Sequence, residues 1–380
     1  MLNVNRTAPK VVVVGGSLGG LFNAIALRSL GFEVDVFEKS SGLMKDRGAG
    51  IVFQQEVADL LTRYEVAPLD AIVVPVRTRR YLDHDGAVLQ EGPMPQAMTS
   101  WDALYRKLRA AFGDEHYHAG IQVVGFEAHN GTVRARFDGG REVVCDLLIG
   151  ADGPGSTVRQ LLLPSVRSEY AGYVAWRGVV AEDQAPDLAA EFADRFTFFQ
   201  APHTHILCYL IPGPDGSLQP GQRRLNWVWY LNAATGPELD HVLTDKDGRR
   251  RQFSVPQGKV SSEMIEQLHL RSRSILPPTF RRLVEATQEP FVQTIHDLAV
   301  SQMAFGRVCL TGDAAFVPRP HTAFSTAKAA ANAMSLADAL SASTGDVVAG
   351  IERWEPGQLD LGRRLRIQGQ RLGDRSQFGK

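Results

Sequence analysis

A chain of 380 residues is long enough for a large core and two domains. Its 44% hydrophobic and 22% charged residues are ordinary globular values and exclude wholesale disorder. With 41 Lys and Arg against 42 Asp and Glu, a formal balance of −1, no charge excess points to nucleic acid or an anionic membrane as partner.

In chain order, MLNVNRTAPK followed by VVVVGG has too short an apolar run for a signal peptide or a membrane span. Residues 11–38 read as a βαβ unit. VVVV is a buried strand, GGSLGG the turn, LFNAIALRSLG a helix stopped by Gly31, and VDVFE the second strand. WDALYRKLRAAF (101–112) has helical spacing, and the segment from Ile121 to Gly153 reads as strands separated by Asn-Gly and Gly-Gly turns. HTHILCYLI and LNWVWYLN alternate with period two, which places His205, Leu207 and Tyr209 on one strand face and Leu225, Trp227 and Trp229 on another. PGPDGSLQPGQ is a turn-rich loop between them. From about residue 291 the α/β character returns, with helices to the end.

The expected fold is therefore α/β: a Rossmann-like nucleotide-binding domain (1–75, 100–165 and 276–345) interrupted by an antiparallel β-sheet substrate domain (76–99 and 166–275), with a helical C-terminus at 346–380. Cys145, Cys208 and Cys309 each sit in a strand-like run without metal-ligand spacing, the pattern of reduced thiols in a cytoplasmic protein. His203 and His205 lack a third ligand at useful spacing, so no metal site is expected.

The turn at 15–20 follows Gly-x-Gly-x-x-Gly with Ser17 at the second position. Gly15 makes the tight turn, Ser17 and Leu18 lie where pyrophosphate approaches, and Gly20 lets the helix pack closely. Glu38 ends the second strand where an acid binds ribose hydroxyls. Lys39 and Val124 complete the candidate cofactor residues at this end. Such a site accepts FAD or NAD. Two later segments, DLLIGADGPGSTVR and GRVCLTGDAA, put Asp152 and Asp313 just beyond strand ends, where open α/β sheets bind ligands. The helix after Thr322 can aim its N-terminus at the end of a flavin that is negative when reduced.

Together GGSLGGL, DGPGSTVR and GDAA, in this order, resemble the single-component FAD-dependent aromatic hydroxylases of the para-hydroxybenzoate hydroxylase fold. YAGYVAWRG, RLNWVWY and GDAAFVPRPHTA point, within that family, to enzymes of hydroxylated pyridine rings. Departures are Phe316 in place of the usual His after GDAA, Ala323, Ser325 and Ala327 where Gly, Gly and Asn are common, and Trp101 where many members carry a flavin-contacting Arg.

The resemblance implies FAD as cofactor, NADH or NADPH as a transient donor, O2 as co-substrate and a homodimer. It also implies a C4a-hydroperoxide that hydroxylates an electron-rich carbon of a pyridinol or phenol. Asp313 would anchor the ribityl side. Pro318 and Pro320 would fix the loop against the flavin. His321, with an ordinary pKa near 6.5, would take a proton from a ring hydroxyl. Arg177 would pair with an anionic ring oxygen or else hold a strand end. Tyr209, Trp227 and Trp229 read first as core, with Tyr209, Trp227 and Thr322 as candidate pocket walls. Arg319 reads as a loop or phosphate contact, and Arg249 to Arg251 as a solvated run. The rival readings are a flavin-binding redox sensor, or an epoxidase or halogenase on the same fold. WVWYLN has Trp-x-Trp but lacks the proline of the halogenase motif.

Overall fold

The computed structural model describes residues 8–42 and 49–380; residues 1–7, on which the N-terminal expectation partly falls, and 43–48 lie outside them. The VVVV run is the strand Lys10–Val14, at the centre of a six-stranded sheet. It pairs in parallel with Glu33–Glu38 on one side and Leu147–Gly150 on the other. Val308–Leu310 extends the sheet in parallel, and Ala304–Phe305 closes that edge. A central parallel strand is covered on both faces, which is why the run does not alternate. One cover is the helices Leu18–Arg28, Trp101–Phe112 and Ser325–Ala342. The other is a three-stranded sheet of Val123–His129, Thr132–Phe137 and Glu142–Cys145.

The second, ten-stranded sheet has Glu169–Ala181, Arg224–Asn232 and Thr204–Ile211 at its centre. It also takes in Gly50–Phe53 and Phe291–Ala299, so both expected boundaries of the substrate domain, at 76 and 275, fall inside this sheet's sequence span. Helices Ser262–Ile275 and Pro278–Glu285 cover its back, and the chain must traverse them before the strand Phe291–Ala299 enters. Residues directly opposite in an antiparallel pair share a face. Trp227 and Trp229 lie with Trp176, Phe192, Phe280 and Leu283 on the helix-covered back. Tyr173, Ala175, Val228, Tyr230 and Ile295 form the front, where His321 and Phe378 meet Tyr173.

The C-terminal helix runs unbroken from Val347 to Phe378, packed on the helix Ser325–Ala342 and on strands of the large sheet, with Pro356 inside it. No helix among the described residues is long and apolar enough to cross a membrane. The three cysteines are buried free thiols.

Candidate active site

Gly15 has φ +106°, and a Cβ there would stand 2.4 Å from the Ala151 carbonyl oxygen, so only glycine fits the crossing of these two strand ends. A Cβ on Gly20 would lie 1.8 Å from the Gly15 oxygen, which is the close helix packing that the third glycine permits. Ser17 is the N-cap of the first helix but makes no side-chain cap, leaving first-turn N–H groups for an anion. Glu38 accepts from the Gly16 N–H at 2.8 Å and the Ser40 N–H at 2.9 Å, which fixes its carboxylate at the strand end. Tyr117 donates to the Gly16 oxygen at 3.0 Å and braces the turn from below.

Gly15, Ser17, Leu18, Glu38, Lys39, Asp152 and Asp313 all line one cavity of about 1320 Å³. Gly20 sits behind it as a packing residue. Val124 does not line it: the side chain is 54% exposed, and Val123 lines the wall instead. A register irregularity between Val123 and Gly125 accompanies this, and a slip of one residue reverses a strand side chain.

The middle of the cavity is built by two turns that brace one another. Asp152 caps the short helix Thr157–Leu162 through the Thr157 and Val158 N–H groups, at 2.7 and 3.2 Å, and accepts from the Ser156 hydroxyl. Burial pushes its carboxyl above the ordinary value, while these bonds pull it down. Arg159 donates to the Ala314 oxygen at 2.9 Å and the Pro154 oxygen at 2.5 Å, stapling the first turn to the Gly312-Asp313 turn. Asp313 accepts from Ser325 Oγ at 2.7 Å and from Lys328 Nζ at 2.8 Å. Lys328 is a fully enclosed lysine that also donates to the Phe316 oxygen, and burial lowers its pKa. Its one sequence signal is a lone cation within the small apolar run STAKAAANAM.

The cavity suits FAD. It exceeds the ~300–1,000 Å³ of ordinary small-molecule sites. It also runs from an uncapped helix start with an adjacent ribose acid to a carboxylate at a second strand end.

The predicted ring-site residues gather elsewhere, where the front of the large sheet meets residues 316–324. His321 Nε2 hydrogen-bonds the Tyr173 hydroxyl at 3.1 Å, and its ring lies 4.4 Å from that of Tyr230 and 5.8 Å from that of His205. Desolvation, then the neighbouring His205 and Arg319 charges, push His321 down to about 3. Burial takes His205 to about 4. The expectation of an imidazole titrating near 6.5 is thereby corrected: His321 is neutral throughout the physiological range.

Pro320 opens the short turn Pro320–Thr322 that presents His321. Thr322 spends its hydroxyl inside this turn, donating to the Arg319 oxygen at 3.2 Å and accepting from the Phe324 N–H at 3.3 Å. Ala323 follows at φ +53°, a left-handed position that explains why glycine is common there in the family.

Arg177 lies on the front face opposite Val228; burial pushes the Tyr209 and Tyr230 hydroxyls up, and the nearby Arg177 charge pulls both back only part-way. Its Nε is buried without a partner, and no carboxylate among the described residues pairs with it. Tyr209 is on the same face, beside Asn226 and Gly50. Trp227 is not a pocket wall. It is fully buried on the back, its indole N–H donating to Thr287 Oγ1 at 2.8 Å. Sequence reasoning missed Tyr173, Tyr230 and Asn226, whose face depends on register. Arg319 is an ion-pair residue rather than a phosphate contact. Arg250 is exposed, as expected of a solvated run, and also borders the cavity with Arg167 and His296.

Two buried neutral histidines make stability depend on pH. Each has a folded pKa below its unfolded value, so the unfolded chain binds the extra proton and stability falls as pH drops below 6.5. Between pH 7.5 and 5.5 each histidine is expected to cost about 1.4 kcal/mol. Denaturant titrations at the two pH values check this, and His205→Gln should remove about half of the loss; an equal loss in the variant would contradict it.

A nucleotide cradle at the strand ends and a separate buried aromatic cluster around His321 are the parts of a flavoprotein monooxygenase, and comparison with known proteins agrees. A family model described as FAD binding domain-like matches residues 170–297. The chain is 38% identical to the 2,6-dihydroxypyridine 3-monooxygenase of Paenarthrobacter nicotinovorans, over 99% of this chain and 94% of that protein. The solved structure of 2,6-dihydroxypyridine-3-hydroxylase from Arthrobacter nicotinovorans matches with a TM-score of 0.92 at 37% identity, over 98% of this chain and 94% of the other. Klebsiella pneumoniae HpxO, complexed with FAD and uric acid, shares the fold with a TM-score of 0.79 at 22% identity, over 97% and 89% of the chains. The chain belongs to the FAD-dependent aromatic-ring monooxygenases. It is an enzyme rather than a redox sensor, with FAD as its cofactor.

Proposed function

We propose that this enzyme hydroxylates a small ring carrying an ionisable hydroxyl, a pyridinol before a phenol, with NADH or NADPH as donor and O2 as co-substrate. The observation that carries this reading is that Tyr230 adjoins both an Arg177 whose buried Nε has no partner and, at 4.4 Å between rings, the neutral imidazole of His321. The pyridinol preference draws support from the likeness to the 2,6-dihydroxypyridine enzyme.

Bound FAD would supply reductive activation of O2 and delivery of one oxygen atom. Gly15, Ser17, Leu18, Glu38, Lys39 and Val123 would hold its adenosine and pyrophosphate, Asp152 and Asp313 its middle. The guanidinium groups of Arg167 and Arg250 on the cavity wall suit the phosphates of a transient nicotinamide donor.

The protein's own work is then protonic and steric. With Nε2–H donated to the Tyr173 oxygen, His321 Nδ1 carries the lone pair that takes the ring hydroxyl's proton. A buried imidazole accepts it only beside the oxyanion it creates, and Arg177 stabilises that oxyanion. Electron density on the ring carbon ortho or para to the oxyanion rises, as electrophilic hydroxylation requires. Tyr209, Tyr230 and Val228 exclude water. A cytoplasmic homodimer completes the proposal: the reduced thiols fit such a compartment, and sedimentation tests the dimer.

The experiment is turnover with NADH and NADPH on hydroxypyridines and phenols, comparing wild type with Arg177→Met. KM is expected to rise about 10- to 100-fold for ionisable rings, with FAD loading intact. Equal KM values in the two proteins would remove Arg177 from recognition.

A further inference from the structure

The mechanism above makes no use of the C-terminal helix Val347–Phe378, yet its last turns touch nearly every group around His321. Arg319, with its side chain 8% exposed, is held from two elements. Asp297 accepts from its Nε at 3.1 Å and its Nη2 at 2.8 Å, and Asp374 of the helix accepts from Nη1 at 2.6 Å. Gln370 donates to Asp297 Oδ2 at 3.1 Å.

Three glycines seven and four residues apart let this helix lie flat on the loop. A Cβ would meet the Phe316 ring at 2.4 Å from Gly362, the Arg319 nitrogen at 3.0 Å from Gly369, and the Tyr173 hydroxyl at 2.5 Å from Gly373. The Gln377 oxygen accepts from His203 Nδ1 at 2.8 Å and from Asn232 Nδ2 at 3.0 Å, pinning the helix end to the large sheet. The Phe378 ring packs edge-on to Tyr173 at 6.2 Å.

We propose that the end of this helix is a positioning element of the ring site: through Arg319 and Gly373 it fixes the Pro318–His321 turn and the Tyr173 hydroxyl that orients the His321 imidazole. The inference rests on the hydroxylase reading for its purpose but not for its test. Arg319 is a positioning residue, because it reaches the ring site only through the turn it belongs to. Its two carboxylate partners come from the large sheet and the helix, so the turn is located by both domains at once.

The test uses the FAD-loaded full chain with Gly373→Ala, in which the new methyl presses on the Tyr173 oxygen, and Asp374→Asn, which weakens the clamp at its half-exposed end and preserves the buried Asp297 pair. Histidine ring-nitrogen NMR without any ring compound is expected to show the His321 resonances shifted in both variants, with FAD content unchanged. In turnover, product formed per NAD(P)H is expected to fall between about 10- and 100-fold, the electrons appearing as hydrogen peroxide. His321 resonances identical to wild type, with only a lowered melting temperature, would overturn the proposal and leave the helix a structural brace. Shifted resonances in a protein whose wild type hydroxylates nothing would support the positioning role and sink the reading it serves.

Discussion

Gly20→Ala is expected to yield a protein that does not hold FAD. The added Cβ falls 1.8 Å from the Gly15 carbonyl oxygen, a backbone atom that cannot swing aside. Gly15 is itself tied, its N–H donating to the Phe37 oxygen at 2.8 Å. Relief therefore requires the first helix to shift away from the turn, which opens the N–H groups meant for pyrophosphate. Overpacking of this kind costs about 1–3 kcal/mol, and about 2.8 kcal/mol is a hundredfold in affinity. Gly357→Ala, in the C-terminal helix and away from the cavity, is the control. Its Cβ meets nothing within 4 Å and should leave FAD binding unchanged. Flavin content and quenching of FAD fluorescence measure both, and equal affinities would refute this account of the turn.

His321→Gln is expected to lower kcat by about 10²–10⁴ while FAD and ring binding survive. Glutamine retains a hydrogen bond to Tyr173 but cannot accept a proton. The diagnostic is pH. In the variant, turnover should climb as pH passes the ring hydroxyl's own pKa, because solvent then does what the imidazole did. Wild-type turnover should lack that rise, since His321, pushed down to about 3 in the free enzyme, has no titration of its own there. Unchanged turnover with an unchanged profile would take His321 out of the mechanism.

The cofactor end was legible in the sequence because each part of it is local. Gly15, Ser17 and Gly20 act within one turn, and Glu38 and Asp313 are placed by the strands they terminate. The ring site was legible only in part, because its walls depend on register and on which face the helices cover. The alternation in LNWVWYLN correctly separates two faces, but nothing local says that the tryptophans take the back and Tyr230 the front. Trp227 and Trp229 read first as core, and the helices at 262–285 do cover them, so Trp227 is lost only as a candidate pocket wall. Val124 failed for a related reason, a register irregularity at the start of its strand. Lys328 and Arg319 are explained only by partners far along the chain or across a turn, Asp313 for the first and Asp297 and Asp374 for the second.

The central claim is monooxygenation of an ionisable ring, and isotopically labelled O2 tests it most directly. The FAD-loaded enzyme is supplied with NADH or NADPH and a hydroxypyridine under the heavy gas, and product mass is read alongside peroxide. The account predicts one labelled oxygen atom in each product molecule, with little peroxide. Product oxygen drawn from water, or rapid reductant oxidation that ends wholly in peroxide across all hydroxypyridines and phenols, would contradict it.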